Sequence, residues 1–517
     1  MANLNIANRN EHRLMKTIRQ TLILLTFALF FAANVTAAPL DERQRTVETV
    51  VADALAQLPA ATAGDYDKIM GELAATGAEG VGILADMLVP ASQGENAAVE
   101  YALNGVASFV TAAGREQLRP AVCEELLAAL ARCKDDANRA FLVSQLQLCA
   151  TADNAAALAA YIDDPYLGDP VLRALISIPD SEATLLSLAR RSDLSDAQRA
   201  ALAYAFGEKR TAAAEPILLG WIDGADDATR AALYPALASC GTAASAKALE
   251  AAARAVDYGC DETAATDSYL RLLDRMVDEG AARDAVKAAK RLLKCERANV
   301  RGAALEVIVR AEGTRAMPYV LAALEKGDIQ YRNAALRYIG DKADDAVYAT
   351  IAADRKRLSD EAWADVIEWF GVRHAASQTG AVTEAVGSSN DAVALAGIRA
   401  AGRLGGDEAL AALIAALGGP HSDAAAQTLL AFNGRIDEGV VKALDGRGTM
   451  QVQALNLAAA RRIDAVADKV FALLDAPDAA VSEAAYRALA SIAAPADVDR
   501  LSRLLDTADA AHAGQLS

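Results

Sequence analysis

Histidine is almost missing from this sequence, with 4 in 517 residues. Beyond residue 37 the rings are His374, His421 and His512, and none has a second His or Cys at ligand spacing. That excludes a metal site built on imidazole. No G-x-S-x-G, H-E-x-x-H or P-loop pattern is present either, so neither catalysis nor a cofactor is implied. Aromatic residues make up only 5% against 53% hydrophobic. The apolar mass is therefore aliphatic and largely alanine, which favours closely packed helices over a β-sandwich. Positive charge is in deficit: 51 Lys and Arg face 69 Asp and Glu, for a formal net charge of −18 and a pI near 4.8. Such a surface repels phosphate backbones, which removes nucleic acid as a general partner, and it also serves solubility.

Long hydrophobic runs are lacking as well. The longest, Leu22 to Ala33, is too short for a comfortable membrane span. It follows the basic stretch Met15-Lys16-Thr17-Ile18-Arg19 and precedes the small-residue pattern Val35-Thr36-Ala37. This is the anatomy of a secretory signal peptide over residues 1–37, cleaved after Ala37, with Ala38 as the alternative. Residues 1–14 read as an extension upstream of the true start. Removing the leader takes away Arg9, Arg13, Lys16, Arg19 and Glu11, so the mature charge is −18 − 4 + 1 = −21. The expectation is an exported chain, periplasmic or extracellular, with no membrane span after cleavage. Cysteines number 6, at positions 123, 133, 149, 240, 260 and 295, and their irregular spacing fits neither a disulfide scaffold nor a zinc site. One reading keeps them as buried thiols, and the other pairs Cys133 with Cys149 after export.

What the chain does have is internal repetition. Asn299-Val300-Arg301-Gly-Ala-Ala-Leu305 and Asp328-Ile329-Gln-Tyr-Arg332-Asn-Ala-Ala-Leu336 superimpose at a shift of 31 residues (332 − 301). Asp328 stands at an N-cap position, Gly340 fits the left-handed position that ends a helix, and Pro318 sits in a first turn, where it is tolerated. Met317, Val320, Leu321 and Leu324 make one apolar stripe. Similar openings occur at Asp135 to Arg139, Ser195 to Arg199 and Asp226-Asp227-Ala-Thr-Arg230, then at Ser359-Asp360, Asn390-Asp391, Ser422-Asp423 and Pro477-Asp478. Neither helix of a pair can bury its stripe alone, so neighbouring pairs must stack. The predicted fold is all-α, a right-handed α-solenoid of stacked antiparallel helix pairs. Its array runs over 135–509, after an N-terminal helical capping region at 38–134 and before a tail at 510–517. The first helix is expected over Asp41 to Leu58, and Asp135 is expected to head a helix through Leu142, Leu146 and Leu148.

The recurring Asp-x-x-x-Arg-x-x-Ala-Leu opening resembles HEAT repeats of the armadillo-like type, closest to the short HEAT-like class also found in phycobilin lyases. The resemblance covers 135–509. It implies that the Asp caps its helix while the Arg reaches to a neighbouring repeat. Asp328, Arg332, Asn299, Arg301, Asp226 and Arg230 inherit those structural roles, with no bilin chemistry attached. The openings at Asp391, Asp423 and Asp478 lack the Arg, which interrupts the expected Arg ladder.

Three stretches carry candidate chemistry. Trp363, Ile367, Phe370 and His374 share a helical face, with Trp369 nearby, and read either as core or as an aromatic platform, with His374 on the last turn. Arg283, Lys287, Lys290 and Lys294 form a basic stripe with Arg291 and Arg297 alongside, either a contact for an anion or acidic partner or a solvated face. The loop from Asp163 to Pro170 carries Asp163, Asp164 and Asp169, whose Asp-Pro pairs read as turn formers and helix starts rather than a calcium loop. Function is therefore expected to be that of an exported interaction scaffold, holding a protein or extended ligand on its concave face. The alternative is the helical N-terminal part of a carbohydrate-processing protein, with a concanavalin-like sugar-hydrolase domain beyond residue 517.

Overall fold

The structure, a computed structural model, describes residues 45–505. The leader, the 510–517 tail and the proposed helix start at Asp41 lie outside them. Every regular element among the described residues is an α-helix or a short 3-10 turn. The chain divides into two compact units between Pro179 and Asp180.

In the second unit the helices alternate between two rows. The leading row runs through Asp196–Glu208, Asp227–Cys240, Ala265–Asp278, Ala298–Glu312 and Ile329–Gly340. It continues through Asp360–Val372, Asp391–Leu404, Ser422–Leu430, Thr449–Arg461 and Ala479–Ile492. Each packs on the next leading helix, while the following helix of each pair lies alongside. This is an α-solenoid of helix pairs stacked in sequence order. The first unit repeats the plan with Ala63–Ala75, Ala97–Phe109, Asp136–Cys149 and Gly168–Ser177 in one row. Its helices within 45–134 alternate in the same way as those of the rest of the unit.

Local chemistry starts these helices. The Asp135, Asp226 and Asp328 side chains accept from the amides of Asn138 (3.0 Å), Thr229 (2.7 Å) and Tyr331 (2.9 Å). Ser195 and Gln198 close a capping box, and Ser359 accepts from the Ala362 amide. Each such cap stabilises its helix by about 1 kcal/mol. Asn299 differs from expectation: it lies inside the first turn of Ala298–Glu312, whose N-cap, Arg297, makes no side-chain cap. At the Ser422 opening the helix likewise begins at Ser422 with no side-chain cap, whereas Asp169-Pro170 lie in the first turn of Gly168–Ser177, a helix start as read from the sequence.

Helix ends depart further from the sequence reading. Gly340 is the last residue of its helix and not the left-handed residue after it, and Arg373 donates to its carbonyl at 2.7 Å. The left-handed position is instead occupied by Arg210, His374 and Arg462, with φ of 49°, 50° and 51°. In each case the next amide returns to a carbonyl of the last turn, as Ala375 does to Phe370 at 3.0 Å. His374 therefore stands beyond the last turn. Burial also follows the neighbours more than the heptad-like spacing. Met317, Val320, Ala323 and Leu324 are buried while Leu321 is half-buried, and Leu148 is exposed. A helix covered on two sides, by its row and by its pair, has its buried arc set by both contacts.

Small residues hold the leading row together. A Cβ added at Gly371 would lie 2.6 Å from Cα of Ala400, and one at Gly207 would lie 3.1 Å from Cα of Ala236. Gly302 faces Ala334 in the same way, with Cβ to Cβ 3.4 Å. Backbones therefore meet where leading helices cross.

Candidate interaction surface

Two polar ladders run along the leading row. The first joins helix beginnings. Asp328, already capping its own helix, also accepts from Arg301 of the preceding repeat at 2.6 Å. Arg301 further donates to the carbonyls of Cys295 and Glu296. Arg332 donates through Nε to Asp365 at 2.7 Å and through its guanidinium to the Gly327 carbonyl at 3.0 Å. Arg139 spans to Asp164 at 2.9 Å, and that carboxyl is held below its usual range by the amides of Tyr166 and Leu167 and by Arg139 itself. Arg199 and Arg230 do otherwise, pairing with Asp196 and Asp227 in their own first turns.

Where arginine runs out, the ladder continues in other side chains. Asn390 donates to Asp360 at 3.2 Å, His421 Nε2 pairs with Asp391 at 3.1 Å, and Gln453 donates to Asp423 at 2.6 Å. Each link spans 30 residues. A search for Asp-x-x-x-Arg alone cannot see it.

The second ladder joins helix ends and was not read from the sequence. Arg275 donates to the carbonyls of Ala238 and Gly241, Arg373 to Gly340, and Arg461 to Leu430, Phe432 and Gly434. Arg310 pairs with Asp274 and Asp278, and Arg399 and Arg403 with Glu368. A cation set against the carbonyl end of the preceding leading helix is favourable to that helix's dipole and satisfies its orphan acceptors. Burial raises the Glu368 carboxyl, but its two arginines outweigh that and hold it below the usual value. The signal available in the sequence was an arginine in the last turn of alternate helices.

Of the basic stripe, Arg283, Lys287 and Lys294 are exposed and make no side-chain ion pair with another described residue. Lys290 is different: it donates to Glu312 at 3.0 Å and lies 4.9 Å from the Tyr319 ring, and the Tyr319 hydroxyl and Glu312 hold its ammonium above the usual lysine value. Arg291 is committed to Glu250, Arg297 to Asp257, and Lys294 falls beyond the end of Ala282–Leu292. The aromatic stripe is core. Trp363, Ile367, Trp369 and Phe370 are buried, and Tyr348 packs edge-on to Trp369 at 5.3 Å, while His374 points its Nδ1 at the Arg403 carbonyl at 3.1 Å. Cys149 has Cys123 as its sulfur neighbour; Cys133 faces the Asp135 carbonyl instead. Of the two readings of the cysteines, pairing of Cys133 with Cys149 does not fit, because Cys133 leaves the helix in an extended cap while Cys123 lies on the buried face.

A cavity of 340 Å³ opens between Thr379–Val386, Asp391–Leu404 and Gly406–Ala416, lined by small apolar residues with Ser388 and His421 at its edge. Among the described residues no three His, Cys, Asp or Glu side chains are grouped to hold a metal ion, and no helix is long and apolar enough to cross a membrane.

No family model and no curated protein matches the sequence. Among solved structures, the chain is similar to karyopherin Kap121p bound to Ste12p, at 12% identity and a TM-score of 0.46, over 91% of this chain and 58% of that one. It is also similar to Kap95p, crystallised with RanGDP, at 12% identity and a TM-score of 0.44, over 89% of this chain and 74% of that one. The chain thus spans 58% of the length of the Kap121p structure.

Proposed function

We propose that the chain is an exported, non-enzymatic scaffold that holds a protein or other extended partner along the leading row of its second unit. One observation carries this reading: the buried positions of the leading helices repeat, while the exposed ones do not. Asp196–Glu208 presents Tyr204 and Glu208, Ala265–Asp278 presents Asp267 and Arg271, Ile329–Gly340 presents Asn333 and Arg337, Asp391–Leu404 presents Arg399 and Arg403, and Ser422–Leu430 presents Gln427 and Leu430, while the leading helices between the first four of these expose little. Constant packing with changing exposed chemistry suits many weak, individually distinct contacts along an extended partner. The close approach at Gly207 and Gly371 supports placing the concave wall on this row, since a stack of helix pairs curves toward the side on which its helices come closest. Export rests on the leader-like residues 15–37.

The test immobilises the mature chain, captures partners from a native envelope extract, and maps hydrogen exchange of the complex. Protection should fall on the leading helices. Arg271→Glu combined with Arg337→Glu should weaken binding at least about tenfold, whereas Lys287→Glu with Lys294→Glu should leave it unchanged. Protection centred on Ala282–Leu292, or glycoside cleavage by the chain alone, contradicts the proposal.

A further inference from the structure

Two sulfurs in the first unit are placed for a bond that ordinary thiols do not need. Cys123 lies in the second turn of Arg119–Arg132, and Cys149 is the last residue of Asp136–Cys149. Their Sγ atoms are 3.4 Å apart and both residues are 0% exposed. Arg119, one turn ahead of Cys123, donates through Nε to the Cys149 carbonyl and through its guanidinium to the Ala150 carbonyl at 2.9 Å. This clamp fixes the end of one helix against the start of the other and so fixes the register of the two sulfurs.

We infer that Cys123 and Cys149 are a disulfide-forming pair that staples these two helices when the chain meets a disulfide oxidant. The separation has to close from 3.4 Å to about 2.05 Å for the bond to form. The Cys149 thiol and the Arg119 charge hold the Cys123 thiol below its ordinary value, while burial and the neighbouring Cys123 push Cys149 up. Cys123 is therefore the attacking sulfur. With glutathione disulfide as oxidant, local opening of the helix end at Cys149 admits the reagent, the Cys123 thiolate attacks one glutathione sulfur, the S–S bond breaks, and the released glutathione thiolate takes up the Cys123 proton. Cys149 then loses its proton, its sulfur attacks that of Cys123, and the second glutathione leaves and is protonated. Two protein thiols are oxidised and one glutathione disulfide is reduced to two thiols.

The inference stands apart from the scaffold reading, since it needs no partner and only the first unit. The full chain, freed of reductant and equilibrated with glutathione disulfide, is alkylated in denaturant and mapped by non-reducing peptide mass analysis. The expected result is a Cys123 peptide linked to a Cys149 peptide, formed equally by a Cys133→Ser variant. In Cys123→Ser, Cys149 should be recovered alkylated or carrying glutathione. Recovery of both wild-type cysteines as alkylated thiols or as glutathione adducts overturns the inference, and so does a link from Cys149 to Cys133.

Discussion

Glu215 shows how a buried charge is kept in this fold. Its carboxylate accepts from the amide and hydroxyl of Thr242 at 2.7 and 2.8 Å, and from the amide (3.1 Å) and hydroxyl of Ser245. It thereby satisfies the free donors that begin Ala243–Ala255 from one repeat away. Burial raises the Glu215 carboxyl, but the Ser245 and Thr242 bonds outweigh it and leave it below the ordinary 4.5. A group depressed in this way contributes stability that is fully present above the unfolded value and lost as pH falls through the lower, folded one. Glu215→Gln, which turns amide hydrogens toward those donors, should destabilise the second unit by about 1–3 kcal/mol at neutral pH. The gap between variant and wild type in urea melts should then narrow as pH falls below about 4.5. A gap that does not change with pH contradicts the role given to the carboxylate.

At the scale of the helix, the closeness of the leading row makes a sharp contrast available between two glycines. Gly371→Ala would drive a methyl to 2.6 Å from the Ala400 backbone, where nothing flexible can yield, and should destabilise by about 1–3 kcal/mol. Gly220→Ala, in the following helix Glu215–Ile222, meets nothing within 4 Å and should stabilise by about 0.5–1 kcal/mol through helix propensity. Thermal melts of both variants decide the matter, and equal shifts contradict the packing described. Helix beginnings were legible from the amino acids because capping is local: Asp135, Asp226 and Asp328 hold amides three residues ahead. Helix ends and buried arcs were less so. Nothing near Gly340 reveals that Arg373 will take its carbonyl, and nothing near Leu148 shows that its side of the helix faces out. The continuation of the first ladder through Asn390, His421 and Gln453 was hidden for the same reason, since different side chains meet one geometric need. Of the candidate contacts, the basic stripe was visible as a spacing, but Lys290 is tied up by Glu312, a residue 22 positions away.

For the molecule as a whole, stability is distributed along the chain. Each helix pair is covered mainly by its immediate neighbours, and the chain resolves into two compact units. Urea denaturation should therefore show more than one transition, with helix content and tryptophan fluorescence losing coincidence, because Trp221, Trp363 and Trp369 all lie in the second unit. A single transition, identical by both probes, contradicts this. The glycine-to-alanine crossings carry a mechanical corollary. Where Gly371 rides on Ala400 and Gly207 on Ala236, the two backbones are already in contact, and no side chain between them can compress. Flexing the second unit so as to tighten that side is blocked at once, while flexing the other way only peels methyl groups apart. The stack yields in one direction, like a watch strap that curls open but stops hard when pressed shut.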